Sequence, residues 1–231
     1  MKKVLITGTS KGIGHRLALD LLERGYYVFG ISRTASNIRH KDYDEFLMDL
    51  CDTDKLCTLW DTRLRDIGFD ILINNAGVGF YGPHSTLNAD EIREMVTVNL
   101  EVPMLLSNLL LPSVIAKHGA IINISSVTAK QNNNTHGVAY GATKAGLTSF
   151  SNSLFAEIRK HQVRVICIHP EMTDTELYRN ADFEASQETG CSLTPKQVSD
   201  AVIYGIEAPE GICINDITLT PQFNRIARKN K

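Results

Sequence analysis

The sequence predicts a doubly wound α/β fold: one domain spanning 1–231, with a mostly parallel seven-stranded sheet flanked by helices. Three observations predict it. Short apolar runs alternate with amphipathic stretches along the whole chain. The runs are apolar throughout rather than at every second residue, as in strands buried on both faces of a parallel sheet. And 231 residues suit one domain that buries a full core without disulfides or metal.

The elements follow in order. Residues 4–6 form the first strand and run into Thr7-Gly8. Residues 17–22 sit in a helical pattern that Arg24-Gly25 closes. Residues 26–31 make the second strand and 46–48 a short third. A helix over 53–67 ends at Gly68, and the strand at 69–73 runs into Asn74-Asn75-Ala76-Gly77. A long helical stretch covers 89–116, and residues 120–124 make the fifth strand. A helix over 138–160 precedes a sixth strand at 163–168. A helix over 195–206 and a strand over 212–219 complete the alternation. The composition shifts only at the polar run 131–135 and at the tail 225–231. The tail carries Arg225, Arg228, Lys229 and Lys231 and reads as a frayed, solvated end.

Composition narrows the function. Hydrophobic residues are 43% and charged residues 22%, which excludes disorder as the main state. With 24 basic and 26 acidic side chains the net charge is −2. Such a chain has no general attraction for nucleic acid or acidic membranes, although a local basic pocket remains open. No run approaches 18 apolar residues in length, so no transmembrane helix is expected. The apolar run after Met1-Lys2-Lys3 is too short for a secretory signal. The five cysteines show no C-x-x-C spacing and read as free thiols in a reducing cytoplasm. None of the seven histidines pairs at ligand spacing with another His or Cys, so no metal is expected.

Chemistry gathers in a few places. Thr7-Gly8-Thr9-Ser10-Lys11-Gly12-Ile13-Gly14 lies between the first strand and the first helix. Glycines there let the backbone approach a pyrophosphate, and the helix start offers unpaired N–H groups. Gly8, Ser10, Lys11, Gly12, Ile13 and Gly14 are thus candidate cofactor contacts. The second strand ends Gly30-Ile31-Ser32-Arg33-Thr34, with no acid to take a ribose hydroxyl. Arg33, with Lys11 opposite, suits the 2′-phosphate of NADP. Asp49 reads either as an acceptor for the adenine amino group or as a helix cap or loop acid.

Tyr140 and Lys144 are four apart on a helix and share a face. A free phenol titrates near about 10. A nearby ammonium favours the phenolate and is expected to lower that value, as proton transfer to a carbonyl oxygen requires. Ser126 follows the fifth strand, at the carboxyl end where such sheets bind ligand. Its hydroxyl there can bond a developing alkoxide, or cap the following turn. Asn99, in Thr97-Val98-Asn99-Leu100, is a poor residue for the helix interior that holds it.

Together these residues resemble the short-chain dehydrogenase/reductase family, in its smaller single-domain branch, over nearly the whole chain. The resemblance implies a Rossmann-type fold with Tyr140 as general acid/base and Lys144 lowering its pKa while holding the nicotinamide ribose. It implies that Ser126 orients the carbonyl and that Asn99 supports a water linking Lys144 to solvent. Asn75, Ala76 and Gly77 fall in the family's strand-four motif on the adenosine side. Pro170, Thr173 and Thr175 fall where the family contacts the cofactor. Glu171 departs from the family's Pro-Gly, which puts the backbone N–H groups that face the nicotinamide amide in question. The step from Ser126 to Tyr140 is one residue longer than usual, which 130–137 can absorb.

The implied function is NADPH-dependent reduction of a ketone or aldehyde, with a small carbonyl or alcohol as partner. The alternatives are a 3-oxoacyl-thioester reductase of the same family and a non-catalytic NADP(H)-binding regulator. Two segments are candidates for substrate contact. Gln131, Asn132, Asn133, Asn134, Thr135 and His136 form either a polar wall or a solvated loop. Residues 174–192, with Leu177, Tyr178 and Phe183, form either a small lid or a packed surface helix, and Cys191 there is an inert thiol or a ligand contact. The resemblance also implies a homodimer or homotetramer through the helices carrying Asn99 and Tyr140. Leu105, Leu109, Leu147 and Phe150 serve there equally as contacts or core.

Overall fold

In the computed structural model, which describes residues 1–131, 133–223 and 225–229, seven strands pair into one parallel sheet. They are β1 (Lys3–Thr7), β2 (Tyr27–Ser32), β3 (Tyr43–Leu47), β4 (Ile71–Asn74), β5 (Ala120–Ile124), β6 (Arg164–Pro170) and β8 (Asp216–Leu219). The strand between, β7 (Phe183–Ala185), pairs antiparallel with β9 (Ile226–Arg228) in a small second sheet. The main sheet runs β3-β2-β1-β4-β5-β6-β8. Strand order reverses between β1 and β4, which opens a crevice beyond their carboxyl ends.

Val4 of β1 pairs with Val28 of β2 on one side and Ile71 of β4 on the other. Successive side chains of a strand point to opposite faces. Leu5, Leu72 and Ile121 accordingly join one apolar cluster, and Val4, Ile6, Ile73 and Ile122 the other. Both faces are covered, which is why the strands read as unbroken apolar runs.

The helices are α1 (Gly12–Glu23), α2 (Thr53–Leu59), α3 (Ala89–Val96), α4 (Val102–Ala116), α5 (Val138–Ile158) and α6 (Pro195–Ile206). Leu106, Leu110 and Val114 of α4 pack in the first cluster with Leu154 and Ile158 of α5. Leu17 and Leu21 of α1 pack in the second with Val198 and Val202 of α6. A buried carboxylate also joins α1 to α6. Asp20 bonds to Arg16 one turn back and accepts from Ser199 Oγ at 2.6 Å.

Helices α3 and α4 run together through a π-helical turn at Thr97–Glu101. The continuous stretch Ala89–Ala116 is long and apolar enough to cross a membrane by length and composition, contrary to the count of consecutive apolar residues. Polar residues such as Asn99 and Ser107 interrupt the run without lowering its mean hydropathy enough. Both are buried against neighbouring elements, as expected of a core helix.

Several boundaries differ from the sequence reading. β3 starts earlier than expected because, at the sheet edge, it carries Asp44 and Glu45, which break the apolar signal. The strand expected from 212 begins at Asp216. The tail is not a frayed end over 225–229: Ile226 pairs with Ala185, Arg228 pairs with Phe183, and Lys229 Nζ donates to the Tyr178 carbonyl at 2.6 Å. Lys231 and Asn132 lie outside the described residues.

Candidate active site

The glycine loop owes its shape to residues without side chains. Gly8 and Gly12 have φ of 77° and 60°, in the left-handed region. A Cβ on Gly14 would lie 2.2 Å from the Gly8 carbonyl oxygen and 2.3 Å from Asn75 Nδ2. Asn75 secures the loop by donating from Nδ2 to the carbonyls of Thr7 (2.8 Å) and Gly8 (3.2 Å). Thr7 Oγ1 accepts from the backbone N–H groups of Asn75 and Ala76, at 3.0 Å each.

The start of α1, like that of α5, carries no side-chain cap. Asn88 and Thr194, by contrast, close capping boxes on α3 and α6. The first amides of α1 face the loop without a side-chain partner, which is the arrangement that receives a phosphate. The glycine cradle and these amides fit the pyrophosphate of a dinucleotide.

A crevice of about 570 Å³ runs from this loop across the carboxyl ends of the strands. That lies within the usual range for small-molecule and cofactor sites. All the expected cofactor contacts line it except Gly14, which lies beneath the loop. Lys11 and Arg33 stand at its rim, each already facing an acid. Lys11 Nζ is 2.7 Å from Glu176, and Arg33 is 3.5 Å from Glu94. These exposed pairs are weak, so a bound phosphate competes well with both acids. Asp49 lines the crevice, and its Oδ1 also accepts from the Cys51 N–H at 2.9 Å in the loop before α2. The cap of α2 is Asp52.

At the other end lie Ser126, Tyr140 and Lys144, all buried. Tyr140 and Lys144 come from successive turns of α5 and Ser126 from the end of β5. Lys144 Nζ donates to the Ile124 carbonyl at 2.8 Å and lies 5.8 Å from the centre of the Tyr140 ring. Burial lowers the ammonium to about 8. The expected lowering of Tyr140 is reversed in the protein alone. Burial pushes its phenol up and nearby Tyr178 adds to this, while the hydroxyls of Ser126 and Tyr81 pull the other way. Desolvation exceeds what neighbouring dipoles return, so Tyr140 holds its proton firmly.

Ser126 caps the short 3-10 turn that follows it. Its Oγ accepts from the Thr128 N–H at 3.2 Å and leaves the O–H free to point elsewhere. Asn99 sits in the π-helical turn, a distortion frequent at functional sites. It donates to the Val78 carbonyl at 2.9 Å and Thr143 Oγ1 at 3.1 Å, and accepts from the Val78 N–H at 2.9 Å. Asn99 thus ties the end of the β4 loop to α5.

Other groups escaped the sequence reading. His169 is fully buried, with Nδ1 at 3.2 Å from the Ser126 carbonyl and Nε2 at 3.1 Å from Asp216. Asp216 in turn pairs with Lys130 at 2.5 Å, on the turn that follows Ser126. Contacts between strands that are distant in sequence make this network, so no spacing announced it. Tyr81 gave no signal either. Its ring lies 5.4 Å from that of Tyr140, and it packs against a tilted Tyr178 ring at 5.8 Å and an edge-on Phe183 ring at 5.3 Å.

The segment expected as a lid or helix is a 3-10 turn at Glu176–Asn180 followed by β7. Leu177 and Tyr178 line the crevice, and Cys191 is buried. The Glu171 N–H donates to the Leu219 carbonyl at 2.9 Å, so this amide serves the sheet rather than the crevice. Its carboxyl, pushed up by burial, belongs to a residue of the crevice wall. In the polar loop Asn134 donates to the Gly137 carbonyl and the His136 carbonyl accepts from Gly82, while the side chains of Gln131, Asn133, Thr135 and His136 are exposed. Of the candidate oligomer contacts, Leu147 is buried in the core, while Leu105, Leu109 and Phe150 are half-buried. Among the described residues, no cluster of potential metal ligands occurs.

Fold and crevice define a dinucleotide-binding α/β protein. The model of the short chain dehydrogenase family matches residues 2–185, and the chain belongs to that family. A benzil reductase ((S)-benzoin forming) from Bacillus subtilis (strain 168) is 33% identical, over 90% of this chain and 94% of its own. An alcohol dehydrogenase from the archaeon Thermococcus sibiricus, complexed with 5-hydroxy-NADP, superposes with a TM-score of 0.86 at 22% identity, over 97% of this chain and 98% of its own. A metagenomic short-chain oxidoreductase in complex with NADP reaches 0.80 at 29% identity, over 96% and 98%. Other solved neighbours hold NADPH, NADH or NAD+. The protein is an NAD(P)-dependent oxidoreductase of this family.

Proposed function

We propose that this chain is an NADPH-dependent reductase of a ketone or aldehyde, with Tyr140 as the proton donor. The observation that carries the reading is the buried Tyr140 beside Ser126, one turn from Lys144, at the end of a crevice that begins at an uncapped helix. NADPH supplies the hydride when bound. Ser126 directs its free O–H to the carbonyl oxygen and holds it near Tyr140. The Tyr140 phenol, kept protonated by burial, gives its proton only as negative charge grows on that oxygen. Lys144 supplies the positive charge that stabilises the phenolate left behind. Lys11 and Arg33 support NADPH over NADH because both stand at the rim where the adenosine ribose is expected.

A panel of diketones, aryl ketones, keto esters, sugar-like ketones and acyl thioesters tests the reading through NADPH absorbance. The name of the benzil reductase relative and the aromatic cluster of Tyr81, Tyr178 and Phe183 put diketones and aryl ketones first. Turnover is expected with wild type. Silence across the panel from protein that binds NADPH favours a non-catalytic binder. Half-buried Leu105, Leu109 and Phe150 support a homo-oligomer through α4 and α5, which sedimentation velocity tests; a monomer refutes it.

A further inference from the structure

Tyr81 lies on the loop that leaves β4, and nothing in the proposed proton transfer yet uses it. Its ring folds back over Gly79. A Cβ on Gly79 would lie 2.6 Å from a Tyr81 ring carbon and 2.8 Å from its hydroxyl oxygen, so only glycine leaves the space. The fold-back brings the ring to 5.4 Å from that of Tyr140, tilted by 48°.

The position is fixed from behind. Tyr178 and Phe183 pack on Tyr81 and on each other, the latter pair at 5.5 Å. The tail holds both: Arg228 pairs with Phe183, and Lys229 Nζ bonds the Tyr178 carbonyl. Where two phenols meet, one donates and the other accepts. Burial and the neighbouring tyrosines keep Tyr81 protonated, so its O–H is available to donate and stays available once Tyr140 has given up its own proton. Tyr178 on the 3-10 turn Glu176–Asn180, Lys144 on α5 and Glu171 beyond Tyr178 are the other titratable groups around the pair.

We propose that Tyr81 is a positioning residue for the acid–base step: its hydroxyl donates to the Tyr140 oxygen and, with Ser126, sets how readily Tyr140 releases its proton. This rests on the reading of Tyr140 as the reacting acid. A hydrogen bond to a charged oxygen is strong enough to move its titration by about one pH unit.

The test is a near-ultraviolet phenolate titration of protein saturated with NADP+, or with NAD+ if that binds better. The Tyr140 signal is the difference between wild type and Tyr140→Phe. The same difference is then taken in the Tyr81→Phe background, which keeps the ring and removes only the hydroxyl. The expected result is a Tyr140 midpoint about one unit higher without the Tyr81 hydroxyl. An unchanged midpoint overturns the proposal. If Tyr81→Phe does not fold, Gly79→Ala, which pushes the Tyr81 tip aside, is expected to give the same shift, and no shift overturns it. The titration needs no substrate, so its failure is distinct from failure of the reductase reading, which appears as absence of Tyr140-dependent turnover.

Discussion

Two buried ionisable side chains one helical turn apart are displaced in opposite directions, Tyr140 upward and Lys144 down to about 8. The sign for Lys144 is that of a buried cation. Its ammonium is present below about 8 and is lost as pH rises through that value. Since kcat/KM reports the free enzyme, its value for NADPH is expected to hold between pH 6.5 and 7.5 and to fall by about tenfold per unit well above 8. A flat profile to pH 9.5 would contradict the shift. At the far end of the crevice, Arg33→Asp replaces the phosphate partner with a repelling charge. Titration by cofactor fluorescence is expected to show about a hundredfold weaker NADPH binding, with NADH changed only a few-fold. Equal loss for both cofactors would remove Arg33 from the phosphate site.

At the scale of elements, the joint between α1 and α6 carries a pH dependence of its own. Burial alone would raise the Asp20 carboxyl, but hydrogen bonds from Arg16 and Ser199, with the charges of Arg16 and Lys196, outweigh it and hold it below its ordinary value. A depressed carboxyl stabilises the fold above the unfolded value of about 4, and this is lost as pH falls through the folded value. Asp20→Asn is expected to cost about 2 kcal/mol at pH 7 in urea unfolding, with the difference from wild type shrinking towards pH 3. A constant difference across that range would show that packing, not charge, holds the joint. Central elements of this sheet were legible in the sequence because burial on both faces leaves a strong signal: β5 and α6 have the expected bounds. Edge strand β3 was displaced by its acids, and the three-residue strands β7 and β9 are too short to show a period.

Across the whole molecule, the crevice exists because strand order reverses between β1 and β4 and brings the ends of β1, β2, β4, β5 and β6 to one rim. The motifs at those ends carry their own spacing, so Tyr140, Lys144, Ser126 and the glycine loop are legible in the sequence itself. Tyr81, His169 and Asp216 are not, because their roles come from contacts with residues far along the chain. The central claim, proton donation by Tyr140, depends on this convergence. It is tested most directly by comparing NADPH oxidation by wild type and Tyr140→Phe with the best carbonyl of the panel. The account predicts that Tyr140→Phe loses about a thousandfold in kcat, with the Kd for NADPH nearly unchanged. Equal rates in the two proteins would contradict it.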